Sequence, residues 1–255
     1  MKKSALVLLF LLILPTTALA KKVIITAVDW YPYMSRNMEG NGFACEVVTY
    51  AFLAVGYETE YIFTTWEDSR DKVVSGLVAG MIGSGEETGE KAMLQFSDPI
   101  AISRDVFFYK RRPSGDIGFT KLEDLKDYKI AVVRGSYSLP KFKQAGLQLN
   151  PSSNATFAFK KLYIDMVDLV PENSFVGWAI INRLYPDEVY KFAETTHSLS
   201  EHPVHFVMAA SNPKSTEMLA NFNRGLETLH AQGVYVNLLK KYIKEVKIKT
   251  PKQPY

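Results

Sequence analysis

Two apolar periodicities alternate along this chain, and that alternation restricts its possible folds more than any single motif does. Val23-Ile24-Ile25-Thr26-Ala27-Val28 is a short β-branched run that leads into Asp29-Trp30-Tyr31-Pro32-Tyr33, so it reads as a buried strand ending in an aromatic loop. Beyond Gly42, apolar residues recur at Phe43, Val47, Ala51 and Val55, with Ala44, Val48 and Phe52 beside them. That is the spacing of one helical face, and Gly56 closes it. Residues 57–64 read as a second strand, and residues 66–80 as a second helix with Val73, Val74, Leu77 and Val78 inward. Met81-Ile82 follows as a short strand broken by Gly83-Ser84-Gly85. Strand, helix, strand, helix, strand in that order predicts a parallel sheet with helices on its faces, an α/β fold.

The same grammar returns later in the chain. Thr120-Lys121-Leu122-Glu123 has the pattern of a capping box opening a short helix. Residues 129–133 form the next predicted strand, which runs into Arg134-Gly135-Ser136-Tyr137, and residues 139–145 are helical up to Gly146. A helix over 155–166, a strand over 167–170 ending at Pro171-Glu172-Asn173, and a helix over 175–184 complete the middle of the chain. A strand over 205–210 precedes Asn212-Pro213, which starts a helix carrying Leu219, Phe222, Leu226 and Leu229. Gly233 breaks that helix, and a last amphipathic helix spans 235–245. Two α/β units without a flexible linker predict two lobes joined by structured segments. The strand-like stretches 105–111 and 204–210 are the candidate crossovers. Their positions divide the chain into residues 21–108 plus 207–255 as lobe 1 and 109–206 as lobe 2.

The first twenty residues carry an export signal. Lys2 and Lys3 precede an apolar run over residues 5–14, Pro15 interrupts it, and Ala18-Leu19-Ala20 supplies small residues for cleavage after Ala20. The apolar stretch is about half of the roughly 20 residues a membrane-spanning helix needs. The chain is therefore expected in the periplasm as a soluble protein, and no Cys at the cleavage point offers a lipid anchor. Cys45 is the sole cysteine, lies in an apolar helical pattern, and reads as a buried, inert thiol. The net charge of +3 derives in part from the leading lysines and a basic stretch over 240–252, without the concentrated basic face of a nucleic-acid binder.

Several segments together resemble family 3 of the extracellular solute-binding proteins, the polar amino-acid receptors of ABC importers. Val28-Asp29-Trp30-Tyr31-Pro32-Tyr33 followed by Gly42-Phe43 is similar to the family's opening. Phe96-Ser97-Asp98-Pro99-Ile100 resembles its FSDPY segment. Leu122-Glu123-Asp124-Leu125-Lys126, followed by Ile130-Ala131-Val132-Val133-Arg134-Gly135-Ser136, resembles its LxDLKGKxVxVxxGS segment. Met166-Val167-Asp168-Leu169-Val170 is similar to its RVDAVV strand. The resemblance implies two α/β lobes joined by two crossover strands (the type II periplasmic binding fold), with a cleft that closes by hinge motion on a small polar solute. It further implies a monomer without a cofactor that delivers its solute to an ABC permease.

In open α/β sheets ligands bind beyond the carboxyl ends of strands, where loops run into helix N-termini. The loops meeting that description place Asp29, Trp30, Tyr31, Gly83, Ser84, Glu86, Arg134, Ser136, Glu172 and Asn173 among the candidate ligand-binding residues, with Trp66 and Lys91 beside them. Glycines there permit close backbone approach, and Trp30, Tyr31 and Trp66 offer ring faces for a ligand's apolar part or a cationic amine. Trp178, within an apolar helix, reads as core.

Two positions depart from the family's amino-acid clamp. Where relatives carry a TxxR motif whose Arg holds the ligand carboxylate, this chain reads Thr88-Gly89-Glu90-Lys91. Lys91 is a point charge without the bidentate geometry of Arg. Where relatives place an Asp for the α-amino group, Asn173 stands here with Glu172 beside it. Asp29, Glu86 and Glu172 together favour a cationic or amine-rich ligand, with Arg104 and Arg134 as anion partners. Catalysis is the weaker reading. A cyclohexadienyl dehydratase-like enzyme needs a general acid, for which Glu172 is the candidate, and cations for its substrate's carboxylates, of which few are present. His202 and His205, three apart on a strand-like segment, place their rings on opposite faces, which suits metal chelation poorly. A rival of the same fold is a periplasmic sensory protein that presents its ligand to a membrane sensor.

Overall fold

The computed structural model describes residues 21–84, 93–112, 115–136 and 138–245. The predicted export signal, Gly85, Glu86 and Lys91, and the basic tail beyond residue 245 lie outside the described residues.

The N-terminal part folds as the periodicities predict. Strand β1 (Lys21–Ala27) pairs in parallel with β2 (Tyr57–Phe63), and helix α1 (Phe43–Leu53) lies between them in sequence. Helix α2 (Trp66–Val74) leads to β3 (Gly80–Ser84), which pairs in parallel with β1 on its other side. Two boundaries differ from expectation. Helix α2 stops at Val74, because Gly76 adopts φ +76° and the Leu77 amide returns to the Lys72 carbonyl at 2.9 Å, a closing turn that ends the ladder. Leu77 is consequently 73% exposed instead of inward. Strand β3 continues through Gly83 and Ser84, which pair with the later strand β10.

The predicted parallel sheet holds for β1–β3 but not for the centre of the molecule. After β4 (Leu94–Phe96) comes the long β5 (Ala101–Lys110), and after lobe-two elements the long β10 (Ser200–Ala209). Strand β10 runs antiparallel to β3, β4 and β5, so the sheet order is β2-β1-β3-β10-β5-β8. Both crossover strands begin earlier than the sequence predicts. They pair with each other over 101–105 and 200–204, where Pro203 in the ladder hid the strand.

Beyond β5, the second parallel pair is β6 (Lys129–Val133) with β7 (Gln148–Ser152), followed by helix α4 (Ala155–Tyr163), with helix α3 (Leu139–Gln144) between the two strands. The short helix before β6 is a 3-10 turn over Leu122–Leu125. Its capping carboxylate is Asp124, not Glu123: Asp124 Oδ2 accepts from the Thr120 and Lys121 amides at 3.0 and 3.1 Å. Strand β8 (Val170–Asn173), helix α5 (Ser174–Leu184) and strand β9 (Phe192–Glu194) follow. β8 pairs antiparallel with β5 and includes the Pro171-Glu172-Asn173 stretch that the sequence reading placed after the strand. Helices α6 (Ser215–Ala231) and α7 (Val234–Glu245) return to pack on α1.

Burial divides between these halves. One apolar cluster joins Val23, Ile25, Phe43 and Phe52 to Phe206, Phe222 and Tyr242, so the two ends of the chain share a core. Two others, around Phe108, Phe159 and Trp178 and around Phe107, Ile130 and Phe142, form the core of the middle segment. Cys45 is fully buried, and burial pushes its thiol well above the ordinary range. Trp178 is buried as expected, its indole N–H donating to Glu194 at 2.8 Å. No helix among the described residues is long and apolar enough to cross a membrane.

Candidate functional site

The loop leaving β1 is shaped by its own backbone. Trp30 and Met34 exchange backbone hydrogen bonds at 2.8 and 3.0 Å around a cis Tyr31–Pro32 peptide. The first amides of α1, which lack partners within the helix, donate to the same loop: Phe43 N to the Pro32 carbonyl at 3.2 Å and Ala44 N to that of Tyr33 at 2.8 Å. Gly42 makes this docking possible. Its φ is +98°, and a Cβ there would lie 2.7 Å from the Tyr33 carbonyl oxygen.

The result is an ordered set of rings. Tyr33 turns inward and is buried, Tyr31 points outward at 46% exposed, and Trp30 stacks on Tyr33 with centroids 4.2 Å apart. Trp66, the first residue of α2 after its Thr65 cap, meets Trp30 edge-on at 6.4 Å and is 46% exposed. The Gly83 backbone passes beneath it, since a Cβ on Gly83 would be 3.4 Å from the Trp66 ring. Trp30, Trp66 and Gly83 thus come together. Ser84 continues the same strand by pairing with Val204. Tyr33, which is not among the sequence candidates, is the ring on which Trp30 rests, and only its place in the Trp-Tyr-Pro-Tyr string signals it.

Asp29 has a local task. Its carboxylate takes the Arg36 amide at 3.1 Å and the Arg36 Nε at 2.7 Å, on the exposed side of the loop. The Arg36 amide first, and the guanidinium with it, hold the Asp29 carboxyl below its usual range.

The second-lobe candidates divide into two places. Arg134 and Ser136 follow β6: the Arg134 amide donates to the Ser152 carbonyl at 3.0 Å while its side chain is exposed, and Ser136 Oγ lies 3.4 Å from Ser138 Oγ. Glu172 and Asn173 sit at the end of β8, beside the crossover strand β5. Asn173 is nearly all committed. Its Oδ1 accepts from the Val176 amide at 3.1 Å and so caps α5, and its Nδ2 donates to Ser103 Oγ at 2.9 Å. Its side chain also lies against the Tyr33 hydroxyl, whose ionisation burial nevertheless strongly disfavours.

Glu172 is the contrasting case. It is half-buried, and among the described residues its hydrogen bond comes from the adjacent Asn173 amide at 2.9 Å. Burial, with a smaller push from nearby Asp105, raises its carboxyl to about 7. The other carboxylates nearby are engaged. Glu194 accepts from Arg104, from Ser174 Oγ at 2.6 Å and from the Trp178 indole, and Asp105 accepts from Ser200 Oγ at 2.8 Å.

Comparison with known proteins assigns the arrangement. Residues 23–245 match the family described as bacterial extracellular solute-binding proteins, family 3. The chain belongs to that family. Family 3 members are binding proteins with two α/β lobes and a strand crossover, the architecture seen here. Among solved structures, the unliganded open L-cystine solute receptor of Neisseria gonorrhoeae is 17% identical with a TM-score of 0.69, covering 89% of this chain and 93% of that one. The open substrate-binding domain 2 of Lactococcus lactis GlnP is 20% identical with a TM-score of 0.68, covering 87% and 95%. A histidine kinase sensor domain similar to periplasmic binding proteins is 20% identical with a TM-score of 0.62, covering 88% and 96%. A search of curated protein sequences gives no match.

Proposed function

We propose that this family 3 protein works in the periplasm, after cleavage behind Ala20, as a monomeric receptor. It captures a small polar solute, an amino acid or an amine, between residues 21–108 plus 207–255 and residues 109–206, and delivers it to an ABC permease. Closure turns about β5 and β10, and the solute stabilises the closed form to the extent that it binds that form better. The proposed ligand contacts are Asp29, Trp30, Tyr31, Trp66, Gly83, Ser84, Glu86, Lys91, Arg134, Ser136, Glu172 and Asn173, of which Asn173 acts chiefly as a helix cap.

The observation that carries the reading, beyond family membership, is the half-buried Glu172, which among the described residues has no cation paired with it, together with the Trp30–Trp66 ring pair on the other side of the proposed cleft. A solute ammonium supplies the missing charge. A thermal-shift screen of amino acids, amines and small organic acids tests it: the expected result is a rise in melting temperature with an amine-bearing solute, because a ligand of the native state stabilises it. No rise with any of them, or a rise with acids alone, defeats it.

A second reading, ligand presentation to a membrane sensor, is favoured by the likeness to a histidine kinase sensor domain. Co-purification of the solute-loaded protein with a permease or with a sensor kinase separates the two.

A further inference from the structure

We propose that Phe175, on the lobe opposite the aromatic wall, positions that wall through a relay of rings. The inference rests on the solute-binding reading for its functional meaning, though not for its test. Phe175 opens α5 two residues beyond Asn173 and borders two cores at once, packing against both the cluster around Phe43 and that around Phe108 and Trp178. Its ring meets Tyr33 edge-on with centroids 5.3 Å apart and an interplanar angle of 86°. Tyr33 in turn stacks on Trp30 at 4.2 Å and 17°, and Trp30 meets Trp66 at 6.4 Å and 66°.

Each of these contacts is geometrically demanding. Edge-to-face and stacked pairs have preferred offsets, and a close-packed interior passes on a displacement instead of absorbing it. Tyr33 has little room of its own. It is buried, its backbone carbonyl is tied to α1, and its hydroxyl lies against Asn173. A movement of α5 therefore changes the surface on which Trp30 rests. Phe175 acts on the wall not by touching the solute but by setting the angle at which Trp30 and Trp66 face it. Phe175 is on this account a positioning residue. Direct evidence of coupling along this chain is a response at Trp30 to a change at Phe175.

The three tryptophans make that evidence accessible. Protein labelled with 5-fluorotryptophan gives one fluorine resonance per indole, assigned by single Trp→Phe variants and recorded without solute. In Phe175→Ala, and in the milder Phe175→Leu should the first fail to fold, the Trp30 resonance is expected to move by more than its linewidth. Trp66 should move less, and Phe175→Tyr, which keeps the ring, should restore both. A shift confined to Trp178, three residues away on the same helix, with Trp30 and Trp66 unmoved, overturns the proposal. The spectra require no ligand, so a negative solute screen leaves this result standing, and a negative spectrum leaves the solute reading standing.

Discussion

The two sides of the proposed cleft are built by different means. On the first lobe, residues 30–44 tie the loop to the start of α1 through backbone hydrogen bonds, so ring positions follow from main-chain geometry and side chains remain available. On the second, Asn173 gives its amide to helix capping and to Ser103, and Glu194 is surrounded by Arg104, Ser174 and Trp178. A wall that organises itself with backbone leaves its side chains for ligand. A wall that organises itself with side chains leaves fewer, and at the end of β8 it leaves Glu172, whose hydrogen bond among the described residues comes from the Asn173 amide.

If the first wall depends on main-chain geometry, the largest loss should come from a substitution that touches only backbone. Gly42→Val places a branched side chain at φ +98° and against the Tyr33 carbonyl. It should cost about 3 kcal/mol or more in urea unfolding, and a loss under 1 kcal/mol would mean that the loop re-forms without the positive-φ position.

The next effect concerns the second wall's spare carboxylate. A raised folded-state value means that the native protein holds the Glu172 proton more tightly than the unfolded chain does. Stability from this group is therefore present below the unfolded value and falls as pH rises towards about 7. The wild type should lose on the order of 2 kcal/mol across that window, after allowance for the partial exposure of the group. Glu172→Gln should flatten this part of the curve. Equal slopes for the two proteins would remove the assignment.

Asn173→Ala removes a cap and a buried donor and should cost about 1–2 kcal/mol, with the loss localised to α5 by hydrogen exchange. Exchange spread evenly over the molecule would argue that the cap matters little. The smallest effect is expected at the exposed Asp29–Arg36 pair: Asp29→Asn should change stability by less than about 1 kcal/mol, with most of that change gone at high salt. A larger, salt-insensitive loss would show that the pair shapes the aromatic loop.

The sequence makes some of this legible and conceals the rest for identifiable reasons. The strands and helices up to β3 announce themselves through periodicity, and Gly56 and Asn154 mark helix ends as their chemistry dictates. The antiparallel pairing of β5 with β10 joins segments about a hundred residues apart, which local patterns do not encode, and Pro203 disguised one of them. Trp30 and Gly83 lie in loops that the strand-end rule marks, whereas Trp66 enters only through the family resemblance. That Asn173 would spend its amide on a helix cap could not be read from the sequence, because the need is created by Val176 and Ser103 only once α5 is in place. Tyr33 and Phe175 were missed for a related reason: an aromatic residue that supports a site has the same local pattern as one that fills a core.

The burial of the single cysteine has a practical consequence. Since the Cys45 thiol is enclosed and held in its protonated form, reagents that modify exposed thiols will pass it by in the native protein. A cysteine introduced on each side of the hinge would then be the sole target of a dye pair. The natural chain thus comes ready for optical measurement of the proposed opening and closing, with no background thiol to remove first.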